Sequence, residues 1–127
     1  MNIPPGDKIQ KKPILIGITG PCGAGKSTLA TGLERAGYRA RAIVQEHSYV
    51  PDMWQRLTKP DVLVFLQASR EAGASRRRLD WTAAEWEEQQ RRLAHARQHA
   101  DLIVDTERLR VEAVLQAVMV YLKGRRL

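Results

Sequence analysis

The most informative segment of this 127-residue chain is Gly20-Pro21-Cys22-Gly23-Ala24-Gly25-Lys26-Ser27. Its outer glycines are followed by a lysine and a hydroxyl residue at the spacing of the Walker A motif. Glycines let backbone amides turn toward an anion, the lysine reaches the outer phosphates, and the hydroxyl is a ligand for magnesium. The motif therefore predicts binding of a nucleoside triphosphate, with ATP and Mg2+ as the expected cofactors.

The sequence on either side of the loop supports this interpretation. Ile14 to Thr19 is a continuous apolar run rich in β-branched residues, which is typical of a strand buried on both faces of a parallel sheet. Apolar residues then recur at helical spacing as far as Ala36, and Gly37 can end that helix. Because a helix N-terminus carries partial positive charge, we expect the amides of Gly23 to Thr28 to form the phosphate cradle.

Further strands and helices alternate along the chain. The pattern predicts a helical turn within a loop, an arginine-rich helix from Ser69, a long helix that starts with the capping box Thr82-Ala83-Ala84-Glu85, and a closing helix ended by Gly124. Strands are predicted at 38–45, 60–66 and 102–104. This alternation predicts an α/β fold, a three-layer α/β/α sandwich with a mostly parallel sheet of about four strands.

Composition restricts the function classes. With 43% hydrophobic and 28% charged residues, the chain resembles soluble globular proteins. A single cysteine allows no internal disulfide, and no apolar run suits a signal peptide or membrane span, so we expect a cytoplasmic protein without a membrane partner. We expect a flexible basic arm at 1–13 and one nucleotide-binding domain at 14–127, with a lid-like arginine-rich helical region at about 70–100.

The chain is basic. It has 21 lysine and arginine residues against 14 acidic residues, a formal net charge of +7, and arginines cluster at Arg76, Arg77 and Arg78. A basic surface attracts polyanions, and arginine clamps phosphate oxygens through its planar fork. The cluster is therefore either a set of phosphate-binding arginines or a solvated charged surface.

Four segments resemble the P-loop kinases of nucleosides and nucleotides, which include deoxynucleoside, thymidylate, adenylate and dephospho-coenzyme A kinases. Residues 16–28 are similar to the opening strand and loop of these enzymes, and residues 60–66 to the strand before the lid. Residues 76–78 are similar to the lid arginines, and residues 100–106 to the last strand. The resemblance implies a P-loop NTPase fold and transfer of the γ-phosphoryl group of ATP to a small nucleoside-like or nucleotide-like acceptor.

The resemblance also implies roles for individual residues. Lys26 and the arginines at 76–78 would stabilise charge on the transferred phosphoryl group. Glu46, after the second strand, resembles the glutamate with which deoxynucleoside kinases accept the proton of the acceptor. Alternatively, Glu46 holds a magnesium-bound water beside Ser27, or it is a surface carboxylate without a role. His47, Ser48, Asp52 and Trp54 would line an acceptor pocket, Trp54 by stacking.

The sequence departs from these kinases in its middle. The segment that usually recognises the acceptor is reduced to 46–59, and Gln67 ends a strand at which an acidic residue is common. Two alternatives to a kinase with some ATPase activity therefore stay open. One is a weakly active or inactive nucleotide-binding module that regulates a partner, and the other is a basic nucleic-acid-binding protein, which no motif favours. The sequence allows a homodimer.

Overall fold

The computed structural model describes residues 13–69, 82–107 and 109–127. The strands are β1 (Leu15–Thr19), β2 (Arg39–Ala42), β3 (Val62–Gln67) and β4 (Leu102–Asp105). The helices are α1 (Lys26–Arg35), α2 (Met53–Arg56), α3 (Ala83–His99) and α4 (Val111–Gly124), and a 3-10 turn spans Gln45–His47. The predicted elements within the described residues are present, with boundaries shifted by a few positions.

All four strands form one parallel sheet in the order β2-β1-β3-β4. The chain passes from β1 outward to β2 and then returns to the other side of β1 to form β3. Connections that leave neighbouring strands in opposite directions open a crevice at the carboxyl ends of those strands, where ligands bind in open α/β folds. The loop after β1 lies at this edge, as does the 3-10 turn after β2.

Alternation along the strands divides the core into two layers. Val62, Val64 and Leu66 of β3 pack with α1 and α4 on one face of the sheet. Leu63, between them, packs on the opposite face with Trp54 and with Ala96 of α3. Because successive side chains of a strand point to opposite faces, a run that is apolar at every position is covered on both sides. The α/β/α sandwich predicted from the sequence is confirmed.

Residues close in sequence explain the exposed edge of β2 and the N-termini of two helices. The arginines of β2, Arg39 and Arg41, are exposed, and charged side chains commonly protect the edge of a sheet. Helix α3 begins with the predicted capping box, in which Thr82 accepts from the Glu85 amide and Glu85 accepts from the Thr82 amide. In contrast, no side chain caps α1, so the amides at its start are left for another acceptor.

Candidate functional site

The loop between β1 and α1 has a backbone that only glycine adopts readily. Gly20, Gly23 and Gly25 have φ angles of 151°, 82° and 97°, a region that side chains disfavour. A Cβ atom on Gly20 would also overlap the carbonyl oxygen of Leu66. These three positions therefore need glycine because of the conformation of the loop itself.

The amides at the start of α1 are open to an anion. Within the described part of the chain, the backbone N–H groups of Gly25, Lys26, Ser27 and Thr28 have no hydrogen-bond acceptor. The Ala24 amide differs from them, since it donates to the Pro21 carbonyl at 3.2 Å. Unpaired N–H groups at a helix N-terminus attract phosphate through hydrogen bonding and through the helix dipole. The geometry thus fits the helical half of the predicted cradle.

The side chain of Lys26 is buried at the base of this loop. Its ammonium group donates to the carbonyl oxygens of Gly20 at 2.9 Å and Pro21 at 3.1 Å. It also forms an ion pair with Glu46, with 2.6 Å between Nζ and Oε2. Two loop carbonyls and one carboxylate therefore hold the ammonium group of the lysine at the loop.

Glu46 reaches the loop because the neighbouring side chain Gln45 anchors the 3-10 turn. Gln45 is buried and donates to the carbonyls of Val50 and Arg92, while its own oxygen accepts from the Trp54 amide at 2.7 Å. Such a network restrains the turn from both sides. Glu46 is consequently 1% exposed, which excludes the interpretation of this residue as a surface carboxylate.

Two further side chains meet Glu46 at the loop. The Cys22 sulfur lies 3.6 Å from Glu46 Oε2 and 3.4 Å from His47 Nε2. His47 is exposed, whereas Cys22 is partly buried. The second carboxylate oxygen of Glu46, Oε1, is buried and has no hydrogen-bond partner among the described residues. The carboxylate therefore retains capacity for a further ligand.

A cavity of about 430 Å³ lies along the loop. Ser27, Thr28 and Glu46 line its polar side, and Val44, Leu109 and Val111 are largely exposed apolar residues at its wall. Polar donors beside an apolar wall suit a nucleotide, which has charged phosphates and a flat base. The loop amides and Lys26 would hold the phosphates, and the Ser27 hydroxyl is an oxygen ligand of the kind that Mg2+ prefers. The residues present therefore fit MgATP, whose magnesium neutralises phosphate charge when bound.

A second cavity, of about 440 Å³, is also lined by Glu46. Cys22, Glu46 and His47 border both cavities, and the second is completed by residues of α3, namely Ala84, Glu85, Glu88, Gln89 and Arg92. The pKa of Glu85 is lowered by hydrogen bonds from Thr82, and that of Glu88 by its hydrogen bond with Arg91. Both carboxylates are thus ionised at neutral pH, and the wall formed by α3 is acidic in part.

The structure reveals two residues of the site that the sequence pattern did not indicate. Gln89, on the buried side of α3, accepts a hydrogen bond from the loop amide of Cys22 at 3.1 Å. Arg92 donates to the Glu46 carbonyl at 3.2 Å and lies over the ring of Tyr49 at 4.2 Å. Both are polar residues within a largely polar helix, so only their position toward the loop distinguishes them from solvated neighbours.

Three residues of the predicted acceptor pocket have other roles. Trp54 is 6% exposed in the core and donates to His95 Nδ1, so its expected stacking on an acceptor is wrong. Asp52 pairs with Arg56, whose hydrogen bond lowers the pKa of that carboxyl group. Ser48 closes a local turn with Val50. The sequence allowed Trp54 to line a pocket or to join the core. In the structure it packs against α3 in the core.

The remaining predictions concern the arginines at 76–78, the N-terminal arm and Gln67. Arg76, Arg77 and Arg78 lie outside the described residues, as does most of the expected N-terminal arm. Gln67 does end β3, and its side-chain oxygen accepts from Arg97 at 2.8 Å. An amide bonded to an arginine therefore occupies the position at which an acidic residue is common in the kinases named above. Among the described residues, every helix is too short or too polar to cross a membrane.

No curated protein matches the sequence. A family model described as an AAA domain matches residues 16–123, which contain β1 from its second residue, the other three strands and the phosphate-binding loop. The chain therefore belongs to the AAA domain family, a family of P-loop domains that bind nucleotides.

Proposed function

We propose that this protein is a small ATP-dependent kinase that transfers the γ-phosphoryl group to a hydroxyl of a small acceptor. The observation that carries the proposal is the buried Glu46 carboxylate, 2.6 Å from the Walker lysine and on the border between two cavities. A kinase needs a phosphate-binding cation and a carboxylate near the acceptor hydroxyl within one site. Lys26 is the candidate for the first group and Glu46 is the candidate for the second.

The two side chains have complementary roles in the proposed reaction. Lys26 would stabilise negative charge on the phosphates, and drawing its ammonium toward them would loosen its bond to Glu46. Glu46 would accept the proton of the acceptor hydroxyl while the bond from that oxygen to phosphorus forms and the bond to the leaving ADP breaks. Binding of the nucleotide would in this way make the base available.

The second cavity is the proposed acceptor site. Its wall carries Glu85 and Glu88 in addition to Glu46, with Arg92 beside them. Carboxylates accept hydrogen bonds from hydroxyl and amino groups. The proposed acceptor is therefore a nucleoside-like molecule rich in such donors, and the arginines at 76–78 remain candidates for contact with the phosphates.

The test separates binding from transfer. MgATP binding is measured by calorimetry, and transfer is measured with labelled ATP against a panel of nucleosides, nucleotides and polyols. We expect Lys26→Ala to abolish ATP binding, with Lys123→Ala as the control. We expect Glu46→Gln to retain ATP binding and to lower transfer on the order of 100-fold or more, with Glu112→Gln, on the exposed side of α4, as its control.

Two outcomes would overturn the proposal at different levels. If the unaltered protein takes up no MgATP, nucleotide binding at this loop is refuted. If it binds MgATP but phosphorylates no acceptor in the panel, the kinase role is abandoned in favour of a nucleotide-binding module. The short connection between β2 and β3, which holds only the 3-10 turn and α2, favours that second candidate.

A further inference from the structure

We propose that Cys22, Glu46 and His47 form a binding site for a thiophilic divalent transition metal, best suited to Zn2+. Within the described residues, these three are the group whose thiol, carboxylate and imidazole atoms all lie within 4.8 Å of one another. Thiolate, imidazole and carboxylate are the three side-chain ligands that zinc takes in proteins. The site is separate in chemistry from the magnesium position, since magnesium avoids sulfur ligands.

The distances among the three atoms match a tetrahedral centre. Sulfur lies 3.4 Å from His47 Nε2 and 3.6 Å from Glu46 Oε2, and the nitrogen and oxygen are 3.9 Å apart. Zinc bond lengths of about 2.0 to 2.3 Å at tetrahedral angles place ligand atoms about 3.3 to 3.6 Å from each other. Shifts of a few tenths of an ångström would therefore bring all three atoms to one ion.

Glu46 supplies a second, independent indication. Its side chain is 2% exposed, and Oε1 is buried without a hydrogen-bond partner in the described residues, while Oε2 is held by Lys26. A buried carboxylate oxygen without a partner is costly unless a donor or cation satisfies it. The oxygen nearest to the sulfur and the imidazole is Oε2, which Lys26 also holds. An ion bound there would satisfy Oε1 as well if the carboxylate contacts it through both oxygens. The thiolate and the carboxylate offset the charge of the divalent ion, the Lys26 ammonium leaves one positive charge in the cluster, and the thiol proton is released to solvent.

The site is also accessible. His47 is exposed, and all three residues border both cavities. A metal with three protein ligands keeps one coordination position open for water or another oxygen ligand. Because Glu46 is the base of the proposed reaction, bound zinc would occupy it and tie Cys22 of the phosphate-binding loop to the turn after β2. Zinc would then inhibit transfer, and this consequence alone rests on the proposed function.

Metal binding is tested with Co2+ as a spectroscopic substitute for Zn2+, on tag-free protein treated with chelator. Cys22 is the single cysteine of the chain, so a thiolate-to-cobalt charge-transfer band can arise from no other residue. We expect the band to appear at about one equivalent of Co2+ and to be displaced by Zn2+. Cys22→Ser should remove the band, and His47→Ala should weaken Co2+ affinity at least about tenfold.

The controls separate this site from other effects. His99→Ala removes a different exposed histidine and should leave Co2+ affinity unchanged, while circular dichroism verifies that each variant is folded. No charge-transfer band, or equal affinity of the His47 and His99 variants, would overturn the metal site. MgATP binding, by calorimetry, and phosphoryl transfer are measured independently of cobalt binding. A protein that binds cobalt without transferring phosphate would retain the metal site and would refute only the predicted inhibition by zinc.

Discussion

Lys26 and Glu46 stand 20 positions apart in sequence, and their charged groups meet at 2.6 Å in the interior of the protein. Each side chain is nearly inaccessible to solvent. A buried charge is tolerated when an opposite charge and hydrogen bonds compensate its loss of hydration. The pair therefore joins the loop after β1 to the turn after β2 and lets both ionised groups remain at the site.

Removing the lysine alone should destabilise the fold more than removing the whole pair. We expect Lys26→Met to lower the free energy of unfolding by about 3 kcal/mol, because Glu46 is left as an uncompensated buried charge. The double variant Lys26→Met with Glu46→Leu should recover most of that loss. Urea unfolding of the single and double variants measures the difference. A double variant as unstable as the sum of its singles would show that the two charges do not interact.

Alanine should have opposite effects at Gly20 of the phosphate-binding loop and at Gly124 of α4. Gly20→Ala should cost about 2 kcal/mol or more and weaken ATP binding, because φ is positive and the new Cβ would meet the Leu66 carbonyl. Gly124→Ala, in α4 with open space around the new atom, should stabilise by about 0.5 kcal/mol. Thermal unfolding and ATP calorimetry of both variants check this. Equal effects at the two sites would argue against the loop geometry.

The contact between Gln89 and the Cys22 amide predicts that α3 contributes to nucleotide affinity. Gln89→Leu removes the acceptor of that loop amide, which should cost about 1 kcal/mol and weaken MgATP binding about fivefold. Gln90→Leu is the matched control, since Gln90 is exposed on the same helix. Calorimetry distinguishes the two variants. If both bind MgATP like the unaltered protein, the contact does not hold the loop.

The capping box predicts loss of order at the start of α3 in acid. Hydrogen bonds from Thr82, the backbone amide first, lower the pKa of Glu85 from its usual 4.5. Since the pKa is lower in the folded chain, the contribution of Glu85 is complete above pH 4.5 and is lost as the pH falls through the lowered value. The amide resonance of Thr82 should report this loss by NMR. Glu85→Gln should abolish that pH dependence, and Glu87→Gln should preserve it; the reverse pattern would contradict the prediction.

Local patterns were sufficient for the elements of the fold. The β-branched run of β1, the glycines of the loop and the capping box of α3 each depend on residues within one turn or strand of each other. Backbone conformation at such positions is set by neighbouring side chains and by amide pairing close in sequence. The parallel α/β sandwich and the nucleotide-binding loop could therefore be predicted without coordinates, as could the position of Glu46 after the second strand.

The composition of the site depended on contacts between distant residues. Gln89 reaches Cys22 across 67 positions and Arg92 reaches Glu46 across 46, and no local pattern separates these residues from the solvated ones beside them. The burial of Trp54 was likewise decided by its packing against α3. The strands, the helices and the phosphate-binding loop follow from the sequence, because short-range sterics and hydrogen bonding specify them. Which polar side chains face one another depends on the folded chain, because strand order and helix packing bring them together.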